Sequence, residues 1–176
     1  MATKQRARRR RVAGGREDSV LRDFLVRELQ DLYDADKQLI GAFSKFSRSA
    51  NAKPVVRLCR EGVSYTKERV KRLDRVFKRL GVTSSARRCD AMRGLIRDAL
   101  RRARESGQAI ATDLALIKSI QQMSFYGLAG YSAACSVAGA LGEKESAKIL
   151  RQSLAEKRSA VSEEAQILKG LLNQGR

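Results

Sequence analysis

Apolar residues recur every three or four positions along most of this chain. Leu21, Leu25, Leu32, Ala35, Leu39, Phe43 and Phe46 form a first stripe, a spacing that keeps one face of an α-helix apolar. Asp18 or Ser19 can cap its start, and the helical rise makes it about 45 Å long. Glu28 sits inside the stripe between Leu25 and Leu32, so its carboxylate is expected to point at the core. Asn51 to Pro54 is a break, with Pro54 suited to the first turn of a second helix. That helix repeats the pattern with Cys59, Val63, Thr66, Val70, Leu73, Phe77 and Leu80, and Gly81 is its expected C-terminal cap.

Thr83 to Ala86 reads as a loop, and a shorter helix is expected from about Arg88 to Glu105. A third long helix, 111–141, keeps Leu114, Ile117, Gln121, Ser124, Leu128, Tyr131, Cys135 and Ala138 in register. Leu116, Ile120, Met123, Ala134 and Val137 widen its apolar face, which points to deep burial or a dimer interface. The last helix, 143–171, carries Ala147, Leu150, Leu154, Val161, Ala165, Leu168 and Leu172. Four long helices and one short insertion predict an all-α antiparallel four-helix bundle over residues 18–172.

Charge changes the picture. The 176 residues suit one domain, and 37 Lys and Arg against 19 Asp and Glu give a formal net charge of +18. Such a field attracts polyanions. Residues 1–17 carry Lys4, Arg6, Arg8, Arg9, Arg10, Arg11 and Arg16, with Gly14 and Gly15 among them. A run of like charges that buries nothing is expected to be a disordered basic arm. On the short helix Arg93, Arg97, Arg101 and Arg104 lie close to one face, preceded by Arg87 and Arg88. Arg60, Lys67, Lys71 and Lys78 lie opposite the apolar stripe of the second helix. Asp90, Asp98 and Glu105 offer partial neutralisation, but arm and helices agree in sign. The expected partner is therefore DNA or RNA, held through its phosphates, salt-dependently and without base readout. Zinc-finger, stacking and strong helix-turn-helix signatures are missing.

Cys59, Cys89 and Cys135 are odd in number and widely spaced, which suggests a reducing compartment, with the cytoplasm as the default location. No stretch is apolar enough to span a membrane. The N-terminus lacks the apolar run of a secretory signal, and an organelle transit peptide is the weaker reading of its arginines. No nucleophile–base pair, phosphate loop or acid–base constellation is recognisable, so neither an enzyme nor a small-molecule substrate is expected.

Four segments occur in an order and spacing that resemble the YciE/YciF family of ferritin-like stress proteins. They are residues 28–39 (ELQDLYDADKQL), residues 69–77 followed by Leu80-Gly81, residues 89–96 (CDAMRGLI) and residues 126–131 (YGLAGY). The likeness covers about residues 18–170. It implies a ferritin-like bundle, commonly a homodimer, with inward carboxylates and histidines for a di-metal centre. This chain has no histidine. Where the family carries a His and a nearby Glu on the second helix, it reads Gly62-Val63-Ser64-Tyr65. The family's Glu on the short helix is Arg93, and its Glu-His-Tyr-Glu on the third long helix is Ser124-Phe125-Tyr126-Gly127. Glu28 and Glu156 are left as inward acids, with Ser124 and Gln121 able to bond to Glu28. No metal, no other cofactor and no ferroxidase-like chemistry are expected of this set. Two further classes follow from the resemblance and the charge: a stress-response metal-binding protein built on the surviving acids, and a structural or adaptor subunit of a nucleic-acid-containing assembly.

Overall fold

A computed structural model describes residues 2–173, and for residues 2–14 and 16 the backbone only. Five helices follow in order: α1 Ala2–Ser49, α2 Lys53–Leu80, α3 Asp90–Glu105, α4 Ala109–Ala140 and α5 Lys144–Asn173. The expected breaks fall into place for the expected reasons. Pro54 stands in the first turn of α2 after an extended Ala52, and Gly81 ends α2 at φ 67°, a left-handed conformation that favours glycine. Gln108 is extended ahead of α4. The backbone is helical from Ala2, so α1 does not start at Asp18 or Ser19. The side chains of the basic arm, Lys4 to Arg11 and Arg16, lie outside the described residues.

The molecule is a ferritin-like bundle. α1 packs between α2 and α4, and α5 packs between the same two helices. Arg22 on α1 donates to the Leu80 carbonyl that ends α2 and also meets Glu143 in the α4–α5 turn, which sets these at one end. At the other end Asp113, near the start of α4, accepts from the backbone N–H of Asn51 and Ala52, at 2.8 Å each. Every neighbouring pair of long helices is therefore antiparallel. α2 and α4 sit diagonally and run parallel, because α3 carries the chain back along α1 and α4. This crossover is clamped to α1: Asp34 accepts from the Cys89 N–H at 2.8 Å, and Gln38 donates to the Cys89 carbonyl at 3.1 Å.

Two apolar clusters fill the bundle. One gathers Leu39, Phe46, Val55, Cys59, Ile117 and Ile120, the other Leu25, Leu29, Leu73, Phe77, Tyr131 and Leu150. The stripes of α1, α2 and α4 are those the spacing predicts. α5 departs in its second half. From Leu150 onward its buried residues are Leu150, Ser153, Leu154, Lys157, Glu164, Ile167 and Leu171, while Leu172 is 54% exposed. Leu150, Lys157, Glu164 and Leu171 are spaced by sevens, one continuous seam. The two charged members broke the apolar pattern, and the expected face slid to Val161, Ala165 and Leu168.

Candidate functional site

Between the two apolar clusters lies a buried polar layer to which all four long helices contribute. Asp36 on α1, Arg69 on α2, and Lys157 and Glu164 on α5 are each no more than 5% exposed. Arg69 Nε lies 3.4 Å from both Asp36 oxygens, and its Nη2 donates to Thr66 Oγ1 at 2.7 Å. Tyr131 on α4 donates to Asp36 Oδ2 at 2.6 Å, and Ser124 on α4 donates to Glu164 Oε1 at 2.6 Å. Two acids and two bases cancel formally, which is the condition for charges to persist in an interior. The satisfaction is uneven, however. Glu164 Oε2 has no hydrogen-bond partner, and among the described residues no carboxylate oxygen comes within 4.0 Å of the Lys157 ammonium.

Burial sets the protonation of this layer. Desolvation, followed by the Arg69 guanidinium, pushes the Lys157 amine down to about 8, against the pull of Asp36, Glu164 and Glu156. Desolvation pushes the Glu164 carboxyl up to about 7, opposed by its bond from Ser124 and by Lys157. Tyr131 is raised well above the ordinary phenol value, first by burial and then by the Asp36 charge.

The positions that correspond to metal ligands are put to other uses. A Cβ on Gly127 would lie 2.8 Å from Lys157 Cε, so the missing side chain makes room for the lysine. A Cβ on Gly62 would meet the Phe43 ring at 3.0 Å. Ser124 serves Glu164, and Phe125 points outward, 53% exposed. Glu156, half-buried, pairs with Arg72. Glu28 is also half-buried and lies over Gly130, whose added Cβ would come 2.9 Å from Glu28 Oε1. Desolvation and the Asp31 charge raise its carboxyl. Neither Ser124 nor Gln121 bonds to Glu28. The expectation that Glu28 and Glu156 are the inward acids is thus corrected: the buried acids of the interior are Asp36 and Glu164. The reason is rotational, since Glu28 precedes the fully buried Leu29 by one position and so faces the α1–α4 seam. Among the described residues no three His, Cys, Asp or Glu converge to hold a metal ion. Two buried cations where a di-metal centre needs anionic and imidazole ligands do not fit such a centre.

On the outside, α3 presents its arginines with partial compensation. Arg88 and Arg93 meet Asp90, at 2.8 and 2.7 Å, and Arg101 meets Asp98 and Glu105, at 2.5 and 2.8 Å. Arg102, which the sequence reading passed over, also holds Asp98, at 2.6 Å. Arg87, Arg97 and Arg104 are exposed and, among the described residues, have no carboxylate oxygen within 4.0 Å. The same holds for Arg60, Lys67, Arg75, Lys78 and Arg79 on α2, whereas Lys71 is paired with Glu68 at 2.7 Å. Arg60 to Lys78 spans about 27 Å of helix.

Residues 20–175 match the protein family described as a domain of unknown function, DUF892. The chain belongs to the DUF892 family. Among its relatives, protein YciF of Escherichia coli K12 is 28% identical over 140 residues, 79% of this chain and 84% of that one. The crystal structure of that Escherichia coli stress protein superposes with a TM-score of 0.84 at 25% identity, covering 87% of this chain and 97% of YciF. A second solved structure, YcfI from Rhodopseudomonas palustris, described as a putative structural protein, superposes with a TM-score of 0.80 at 28% identity, over 82% and 92% of the two chains. The likeness to YciF read from four segments is therefore shown at the level of family and of fold.

The sequence reading missed Asp36, Arg69, Lys157 and Glu164. One signal for the last two was present: Lys157 and Glu164 complete the heptad from Leu150 to Leu171. For Asp36 and Arg69 the signal was weaker, each lying beside a stripe residue rather than replacing one.

Proposed function

We propose that this protein binds nucleic acid or another polyanion electrostatically, without catalysis and without base specificity, through its basic arm and α3. The observation that carries this reading is the set of exposed cations left without carboxylates, Arg87, Arg97 and Arg104 with the unpaired row on α2. A surface serving solubility alone mixes its signs. On α3 the acids Asp90, Asp98 and Glu105 are all held in ion pairs, and the remaining arginines are a positive field available to phosphates. A stress-linked role is carried over from the relative described as a stress protein. The cytoplasm is part of the same reading, supported by three free cysteines. So is a homodimer, formed by a second copy against the outer face of α4. From Ser119 to Gly142 that helix and its turn hold no charged residue, in a chain of which 32% is charged.

Binding of a fluorescent random-sequence duplex across a salt series tests this reading. The expected result is an affinity falling linearly on a double-logarithmic plot, with a slope of about −0.9 per phosphate neutralised. A chain lacking residues 1–16 should show a shallower slope. Absence of binding at low salt removes the proposal and leaves the adaptor role, with a specific protein partner.

A further inference from the structure

Midway along the bundle, α2 and α5 part around a cavity of ≈360 Å³. Gly62 opens its α2 side, Phe43 and Leu58 give it an apolar wall, and Tyr65, 56% exposed, stands at the mouth. Lys157 and Glu164 line it from the interior, 3% and 2% exposed. Buried ammonium groups are kept in proteins by a carboxylate partner, and Lys157 has none within 4.0 Å among the described residues. Glu164 Oε2 is likewise unpartnered. Lys157, without a carboxylate partner, and the half-satisfied Glu164 thus line one cavity, and the lysine stem fills the space that a side chain on Gly127 would take.

We propose that Lys157 is a nucleophilic amine that captures a small neutral aldehyde in this cavity as a Schiff base. The Nζ lone pair attacks the carbonyl carbon, the C–N bond forms as the C=O π bond opens, and a proton passes from the nitrogen to the oxygen to give a carbinolamine. Protonated Glu164 then gives a proton to that hydroxyl, the C–O bond breaks, and water leaves. The nitrogen loses its remaining proton, restoring the Glu164 carboxyl. In sum, amine plus aldehyde gives imine plus water, with no oxidant or reductant. A neutral carbonyl compound with an alkyl or aryl body fits best. The apolar wall accepts that body, while Glu61, Glu156 and Glu163 are already held by Arg57 and Arg72.

The surroundings of the amine suit the step. Asp36 faces it from α1, Arg69 from α2, and Glu156 and Glu164 from α5, while α4 contributes the uncharged Gly127 and Ser124. With the amine held at about 8, roughly a tenth of it is unprotonated at pH 7, against well under a thousandth for an ordinary lysine. A carboxyl held at about 7 donates and accepts protons in the same range. This inference is independent of polyanion binding.

The test uses the full chain with benzaldehyde and cyanoborohydride at pH 7, followed by peptide mapping by mass spectrometry. Among the lysines, the expected benzyl group is on Lys157, formed at least about tenfold faster than on exposed ones such as Lys53 or Lys169. Lys157→Met is expected to abolish this fast adduct, and Glu164→Gln to slow it at the same site. Labelling spread evenly over surface lysines, or an unmodified Lys157, overturns the proposal, and mapping of the unaltered chain decides this whether or not the variants fold.

Discussion

Lys157 and Glu164 show how much one residue's surroundings alter its chemistry. Glu164 is held at about 7 in the folded protein and titrates near 4.3 in an unfolded chain. Between those values the native state binds more protons than the unfolded one, so this group makes stability fall as pH rises from about 4.5 to 7. Lys157 works in the opposite pH range. Its folded value of about 8 lies below the unfolded 10.4, so stability rises with pH from about 8 to 10.5. The two together place a shallow minimum between pH 7 and 8. Glu164→Gln removes the acidic limb. Chemical denaturation at pH 5 and pH 7.5 should find the variant gaining on the parent by about 1–3 kcal/mol over that interval, since each tenfold change in proton affinity is worth about 1.4 kcal/mol. A difference that does not change with pH would mean that Glu164 titrates normally. The heptad from Leu150 to Leu171 marks the positions of Lys157 and Glu164 in the sequence, but their shifted titration follows from the surroundings that burial gives them.

At the scale of elements, the breaks and caps were legible because they depend on local chemistry: Pro54 and Gly81 act through their own backbone geometry. Burial was legible wherever apolar residues supplied it, on α1, α2 and α4. It failed on α5 because charged residues occupy two seam positions there, and a pattern of apolar residues cannot register buried charges. It failed for Phe125 as well, since the correspondence to a ligand position carried no information on which side of α4 it faces. The outer face of α4 is instead Phe125, Ala129, Ser132, Ser136 and Ala140, uncharged and open to solvent. Small residues allow two helices to approach closely, and the absence of charge removes the desolvation cost that separates like-charged copies. Sedimentation equilibrium should therefore find two chains per particle, and Phe125→Glu should return single chains with unchanged helix content. A mass of one chain for the unaltered protein would leave this face without a partner.

For the whole molecule, the sign of the field could be read from composition, but its distribution could not. Arg93 and Arg101 were counted with Arg97 and Arg104 as one basic face, yet the first two already hold carboxylates at 2.5–2.8 Å. An arginine in such a pair has already lost much of its field, and a phosphate must compete with the resident acid. The unpaired residues should therefore carry most of the counterion release. Replacing Arg87, Arg97 and Arg104 together by Gln should flatten the slope of log affinity against log salt by up to about three, at roughly 0.9 per lost phosphate contact. The same treatment of Arg88, Arg93 and Arg101 should change it by less, since Asp90 and Asp98 are then set free to repel the ligand but fewer phosphate contacts vanish.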